Sequence, residues 1–168
     1  MSAWDTSFPP VLRELHKLAF GDGIEFEPYA AFLASGETAD WFSHWTGNAQ
    51  AAGAELRVFG QDGSGGLAAF WIVEPRRDIL KQPVVFLGSE GQRGVIAVDF
   101  DNYLWLLAGG VGPCEVIVSD QLEGTPQDSL ERFARTNSTV VQTTPAQIVA
   151  EARRAYPGFE PWVASQCR

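Results

Sequence analysis

LRVFGQDGSGGLAAFWIVE (residues 56–74) and PVVFLGSEGQRGVIAV (residues 83–98) decide the fold of this chain. In the first, Leu56–Phe59 reads as a strand, 60–66 as a glycine-rich turn, and Leu67–Glu74 as the returning strand. Phe70, Trp71, Ile72 and Val73 are the branched and aromatic side chains that suit a pleated surface. The second stretch repeats the pattern: strand Pro83–Leu87, turn 88–94, strand Val95–Val98. Sequential strands joined by short glycine turns predict an antiparallel meander.

Helical patterns flank this centre. Val11, Leu15 and Leu18 predict a helix over 9–20, with Ser7 as its cap and Gly21 as its stop. EPYAAFLA (27–34) reads as a short second helix or the entry to one. Ser35 then caps a helix over 37–46, which carries Trp41, Phe42 and Trp45 on one face and ends at Gly47. Asp99 caps a helix over 100–108, where Phe100, Tyr103, Leu104, Leu107 and Ala108 form one stripe. Trp105 lies off that stripe and is either core or an exposed binding anchor. Cys114–Val118 reads as a fifth strand. Thr125-Pro126-Gln127-Asp128 and Thr144-Pro145-Ala146-Gln147 both carry helix-start signals, and the second is a capping box. The expected class is α+β: an antiparallel sheet of about four to six strands with helices packed against it, in one domain over 1–168.

Composition bounds the function. The 168 residues hold 21 acidic and 12 basic side chains, for a net charge of −9. Such a surface repels phosphate backbones and anionic membranes, so neither nucleic acid nor membrane is an expected partner. A basic protein would be attracted. The excess lies in the first three-quarters: residues 129–168 hold three acidic and five basic residues. Two cysteines, Cys114 and Cys167, form no disulfide framework or metal motif. MSAWDTSFPP has no basic start and no apolar core, which predicts no secretory leader and places the chain in the cytoplasm.

Catalytic patterns are sparse. Asp40 and His44 share a helix face, and Asp62 with Ser64 occupies the first glycine turn, so a Ser–His–Asp set with His44 can be drawn. No strained G-x-S-x-G elbow accompanies it. Asp62-Gly63-Ser64 and Asp99-Phe100-Asp101 begin like calcium loops, but their later ligand positions hold Val73 and Tyr103. No cofactor is expected, and the chain is read as a binding protein and not an enzyme.

Three blocks resemble the SUKH superfamily (the Smi/Knr-type fold): Pro28-Tyr29-x-x-Phe32-Leu33-x-x-Gly36; Phe59–Gly65 with the strand after it; and Pro83–Phe86 through Ile96-Ala97 to Phe100-x-x-Tyr103-Leu104-x-x-Leu107. They cover about residues 27–108, with Glu27 standing where the family has an apolar residue. The resemblance implies a bacterial immunity protein that neutralises a cognate toxin domain, such as a basic nuclease, by stoichiometric binding as a monomer or weak homodimer. Glu27, Glu37, Asp40, Trp45, Asp62, Glu90 and Trp105 are then the candidate contacts, with Glu25 a further acidic one. A small hydrolase or ligand-binding protein using the Asp62–Ser64 loop, and an assembly subunit with a tryptophan-rich interface, are the alternatives.

Overall fold

The computed structural model describes residues 7–168. Residues 1–6, which begin the segment read above for a leader, lie outside it. The described residues form one five-stranded antiparallel sheet and seven α-helices, which is the α+β architecture expected. The strands are β1 (Glu27–Pro28), β2 (Leu56–Gln61), β3 (Leu67–Trp71), β4 (Val84–Leu87) and β5 (Arg93–Ala97), and they lie side by side in chain order. The helices are α1 (Pro10–Leu15), α2 (Ser35–Thr46), α3 (Phe100–Ala108), α4 (Pro113–Val118), α5 (Asp128–Asn137), α6 (Pro145–Ala155) and α7 (Phe159–Gln166).

Every residue of β3 and β4 is buried. Alternate side chains leave opposite faces of a strand, so both faces must be covered. One face carries Phe59, Ala68, Phe70, Val84, Phe86 and Ile96 against Leu12 and Leu15 of α1, the apolar stripe of α3, and Leu130 of α5. The other carries Val58, Leu67, Ala69, Trp71, Val85 and Leu87 against Phe42 of α2 and Phe159 and Val163 of α7. Helix α6 joins both layers: Ile148 and Val149 pack on the first face and Ala152 on the second, alongside the outer strand β5.

Several expectations need correction. Cys114–Val118 is not a strand but helix α4, started by Pro113 after extended Gly112. The fifth strand is the two-residue β1, inside the stretch read as a helix. Residues 27–34 do not form a helix because their N–H groups serve the sheet: Tyr29 donates to the Phe59 carbonyl and Leu33 to that of Val58. Those carbonyls are available because β2 is bulged there, with Val58 opposite Ala69 and Gly60 opposite Ala68, leaving Phe59 as the extra residue. Helix α1 is shorter than expected and begins at Pro10 after Pro9, with no side-chain cap. Likewise Gln127, not Thr125, precedes α5. Ser35 is the first residue of α2, not its cap. Helix α7 was not anticipated. Asp99 does cap α3 by accepting from the Asn102 N–H, Thr144 and Gln147 form the full capping box of α6, and Gly47 ends α2 in the left-handed region.

Two positions allow tests. A Cβ on Gly60 would stand 2.3 Å from the Phe26 ring and 3.0 Å from the Glu27 carbonyl oxygen. Gly60→Ala is therefore expected to destabilise the fold by about 1–3 kcal/mol. Phe26→Leu, which shortens the opposing side chain, should recover part of that loss in urea titration. His16 donates from Nδ1 to the Tyr29 carbonyl at 2.6 Å, while its Nε2 is enclosed without a partner among the described residues. Phe8, Phe26 and Phe59 surround the ring. Burial holds this imidazole below its ordinary 6.5, against the opposing pull of the Tyr29 carbonyl. Below pH 6.5 the unfolded chain binds a proton there that the folded chain does not, so stability falls as pH drops through that value. Urea midpoints at about pH 7.5 and about pH 5.5 should differ less in His16→Leu than in the parent.

Candidate functional site

The candidate residues gather mostly at one end of the sheet, where the β2–β3 and β4–β5 turns meet α2. The indoles of α2 fasten the helix to those turns. Trp41 Nε1 donates to the Gly65 carbonyl at 3.2 Å, and Trp45 Nε1 donates to the Gly88 carbonyl at 2.7 Å. The turns are joined to each other by Ser89 Oγ donating to Ser64 Oγ at 3.1 Å. Spacing along α2 places Trp41 and Trp45 one turn apart, and their rings stack with centroids 5.7 Å apart.

That stack continues inward. Trp45 stacks on Phe42, Phe42 on Trp162 of α7, and Trp162 on Phe159, while Trp71 of β3 meets both α7 rings. Arg93 joins the stack at Trp45, with its guanidinium 5.9 Å from the Trp45 ring centroid and 3.0 Å from a Glu160 carboxylate oxygen. The sequence reading missed Trp162. The i, i+4 pair Phe159 and Val163 after Pro157-Gly158 was the available signal for α7.

Acidic side chains border the stack. Glu37 and Asp40 project from the exposed side of α2, and Glu90 is exposed in the β4–β5 turn beside the Gly88 carbonyl that Trp45 holds. Glu27 lies on the neighbouring edge strand and accepts from Gln61 Nε2 at 2.9 Å, while Gln61 accepts from the Tyr29 hydroxyl at 2.7 Å. Burial, then the fields of Glu27 and Glu37, raise the Tyr29 phenol above its ordinary value, so both carboxylates act on one ring. Tyr29 thus links Glu27 to Glu37, and the Trp45–Gly88 bond links α2, which also carries Asp40, to the turn that carries Glu90. Glu25 is exposed, but its main-chain N–H donates to Glu115 Oε1 at the start of α4.

Asp62 is not exposed as expected, and Trp105 takes the core reading of its two, which removes both from the candidate contacts. Trp105 is only 6% exposed and donates from Nε1 to the Val140 carbonyl at 3.1 Å, so it is core. Asp62 is 3% exposed and organises its own turn. It accepts from the N–H groups of Ser64 and Gly66, from the Ser64 hydroxyl, and from the Cys114 thiol. Burial raises its pKa, but the bonds from Cys114, Gly66 and Ser64 outweigh that and hold it below the ordinary value.

The Ser–His–Asp set is not assembled. The Ser64 hydroxyl lies against the Asp62 carboxylate at 2.9 and 3.0 Å with no imidazole between them. His44 Nδ1 is 2.7 Å from the Asp40 carbonyl of its own helix. Among the described residues, no three His, Cys, Asp or Glu side chains are arranged to hold a metal ion. No helix among them is long and apolar enough to cross a membrane.

Burial, then Asp62, Glu115 and Glu25, push the Cys114 thiol up to about 12. Cys167 is exposed. Iodoacetamide at about pH 8 is therefore expected to alkylate Cys167 and spare Cys114. Asp62→Asn should accelerate Cys114 labelling by roughly tenfold or more, read by peptide mass spectrometry. Equal labelling of Cys114 in both proteins would show that the carboxylate does not govern the thiol.

Compared with known protein families, with curated proteins and with solved structures, this chain matches none.

Proposed function

We propose that this chain is a cytoplasmic protein-binding module of the immunity type, which neutralises a basic toxin domain by one-to-one occupation of its substrate cleft. The observation that carries the reading is that Glu27, Glu37, Asp40 and Glu90 are all exposed, on a strand, a helix and a turn that the half-buried Trp41 and Trp45 help tie together. Acidic side chains steer a basic surface inward and compete for the groups that would bind phosphate. Aromatic faces beside them supply contact area and stack on guanidinium groups. The net charge of −9 and the SUKH-type resemblance of residues 27–108 point the same way.

Rigid support favours such a role. Each tryptophan is fixed by a hydrogen bond from its ring nitrogen to a turn carbonyl, so little side-chain freedom remains to be lost on binding. The buried Asp62 serves the surface indirectly, by shaping the turn whose Gly65 carbonyl holds Trp41.

The test is surface plasmon resonance against a purified toxin domain encoded beside this chain. Glu27→Lys, Glu37→Lys and Asp40→Lys together are expected to weaken binding by roughly tenfold or more, chiefly through the association rate, and to flatten its salt dependence. Binding that ignores both the substitutions and the salt would remove the acidic end as the interface. Absence of binding by the unaltered chain would remove the immunity reading.

A further inference from the structure

A cavity of about 570 Å³ opens at the N-terminal end of α2, on the side of the helix away from Glu37. Phe32, Leu33, Ala52 and Ala54 give it apolar walls, and Thr38 and Arg57 give it polar ones. The residue preceding the helix is Ala34, which has no side chain to cap it. The N–H groups of Ser35, Gly36 and Glu37 therefore have no acceptor among the described residues, and Ser35 lies on the cavity wall. Twelve aligned peptide units stand behind them and favour negative charge there.

Thr38 supplies a second, independent sign. It is only 3% exposed, it lines the cavity, and its hydroxyl has no partner among the described residues. A threonine in the first turns of a helix ordinarily turns its hydroxyl back to a carbonyl one turn earlier, as Thr46 of the same helix does to Phe42 at 2.8 Å. Thr38 makes no such bond, and its oxygen is not among the fully enclosed atoms, so the hydroxyl is left for whatever enters the cavity. Arg57 stands on the same wall, with Nη1 held by the carbonyls of Ala54 at 2.8 Å and Leu56 at 3.0 Å. Glu37, the acid of the first turn, faces Tyr29 and does not line the cavity.

We propose that this cavity binds a carboxylate carried on an apolar body. Its donors (the Ser35 N–H and the Thr38 hydroxyl, with the positive charge of Arg57 on the same wall) suit a single small anion, and its apolar walls suit the chain attached to it. Inorganic phosphate would leave those walls unfilled and carry more negative charge into an already acidic molecule. The C-terminus of a peptide with an aliphatic last residue and a short fatty acid share the required chemistry. The site adjoins the acidic docking end on α2 but uses none of its side chains and does not depend on that reading.

The experiment follows amide resonances of the full chain by two-dimensional NMR during titration with four probes: hexanoate, hexanol, acetyl-alanyl-leucine, and its C-terminal amide. The expected result is saturable shifts at Ser35, Gly36, Glu37 and Thr38 with the two acids, at least roughly tenfold weaker with the two neutral probes. The tighter of the two acids identifies the source. Thr38→Val, which keeps shape and removes the hydroxyl, should weaken binding by roughly tenfold. Ser35→Pro removes one N–H at a position where Ala34 already has the extended conformation that proline requires of its predecessor (φ −59°, ψ 147°). It provides the second variant if Thr38→Val does not fold. Equal affinity for the neutral probes, unchanged affinity in a folded variant, or no saturable shift by about 10 mM of either acid overturns the proposal.

Discussion

The central strands β3 and β4 expose no residue on either face, and the remaining architecture follows from that constraint. An antiparallel meander commonly leaves one face to water. Here Ala68, Phe70 and Phe86 on one side and Ala69, Val85 and Leu87 on the other all require cover. Two helical layers are the result. Small residues at Ala68 and Ala69 make room for large neighbours, so Phe59 and Tyr103 meet on one face while Trp71 reaches Phe159 and Trp162 on the other.

The acidic end of the molecule is a by-product of how that cover is attached. Helix α2 crosses the sheet end and holds on through two indole N–H groups that reach turn carbonyls. Tight glycine turns present those carbonyls outward, and Asp62 fixes the geometry of one of them from within. A side chain chosen for exposure on charge alone thus turns out to be scaffolding, while its neighbours on α2 remain free to face solvent. Burial separates the two roles: a carboxylate that already accepts several hydrogen bonds has little left to offer a partner.

The sequence displayed the meander clearly, because turn chemistry and apolar runs are local signals. Strands β2 to β5, the Asp99 cap, the Thr144 capping box and the Gly47 stop were all legible for that reason. What could not be read was non-local. The segment from Glu27 to Ala34 has helical composition, but the bulge at Phe59 offers it carbonyls from a strand thirty residues away, and those bonds win. Cys114–Val118 has strand composition, but Pro113 starts it as a helix, and that helix packs on β4 and β5. Trp105 could be read as core or as an anchor because it lies off its helix stripe, and its place in the core, with its N–H on the Val140 carbonyl, depends on chain that returns thirty-five residues later. The acidic cluster was legible as charge but not as a place, because its members come from β1, α2 and the β4–β5 turn.

The second face of the sheet is closed from both directions along the chain, by Phe42 of α2 ahead of the strands and by Phe159 and Val163 of α7 behind them. During synthesis, the apolar strands leave the ribosome well before residues 159–166 can cover them. For that interval the nascent chain shows a wide sticky surface, including Trp71, with only half its shelter in place. Chaperone capture, or a slow rate of translation through the final helices, would then govern yield more strongly than the stability of the finished fold.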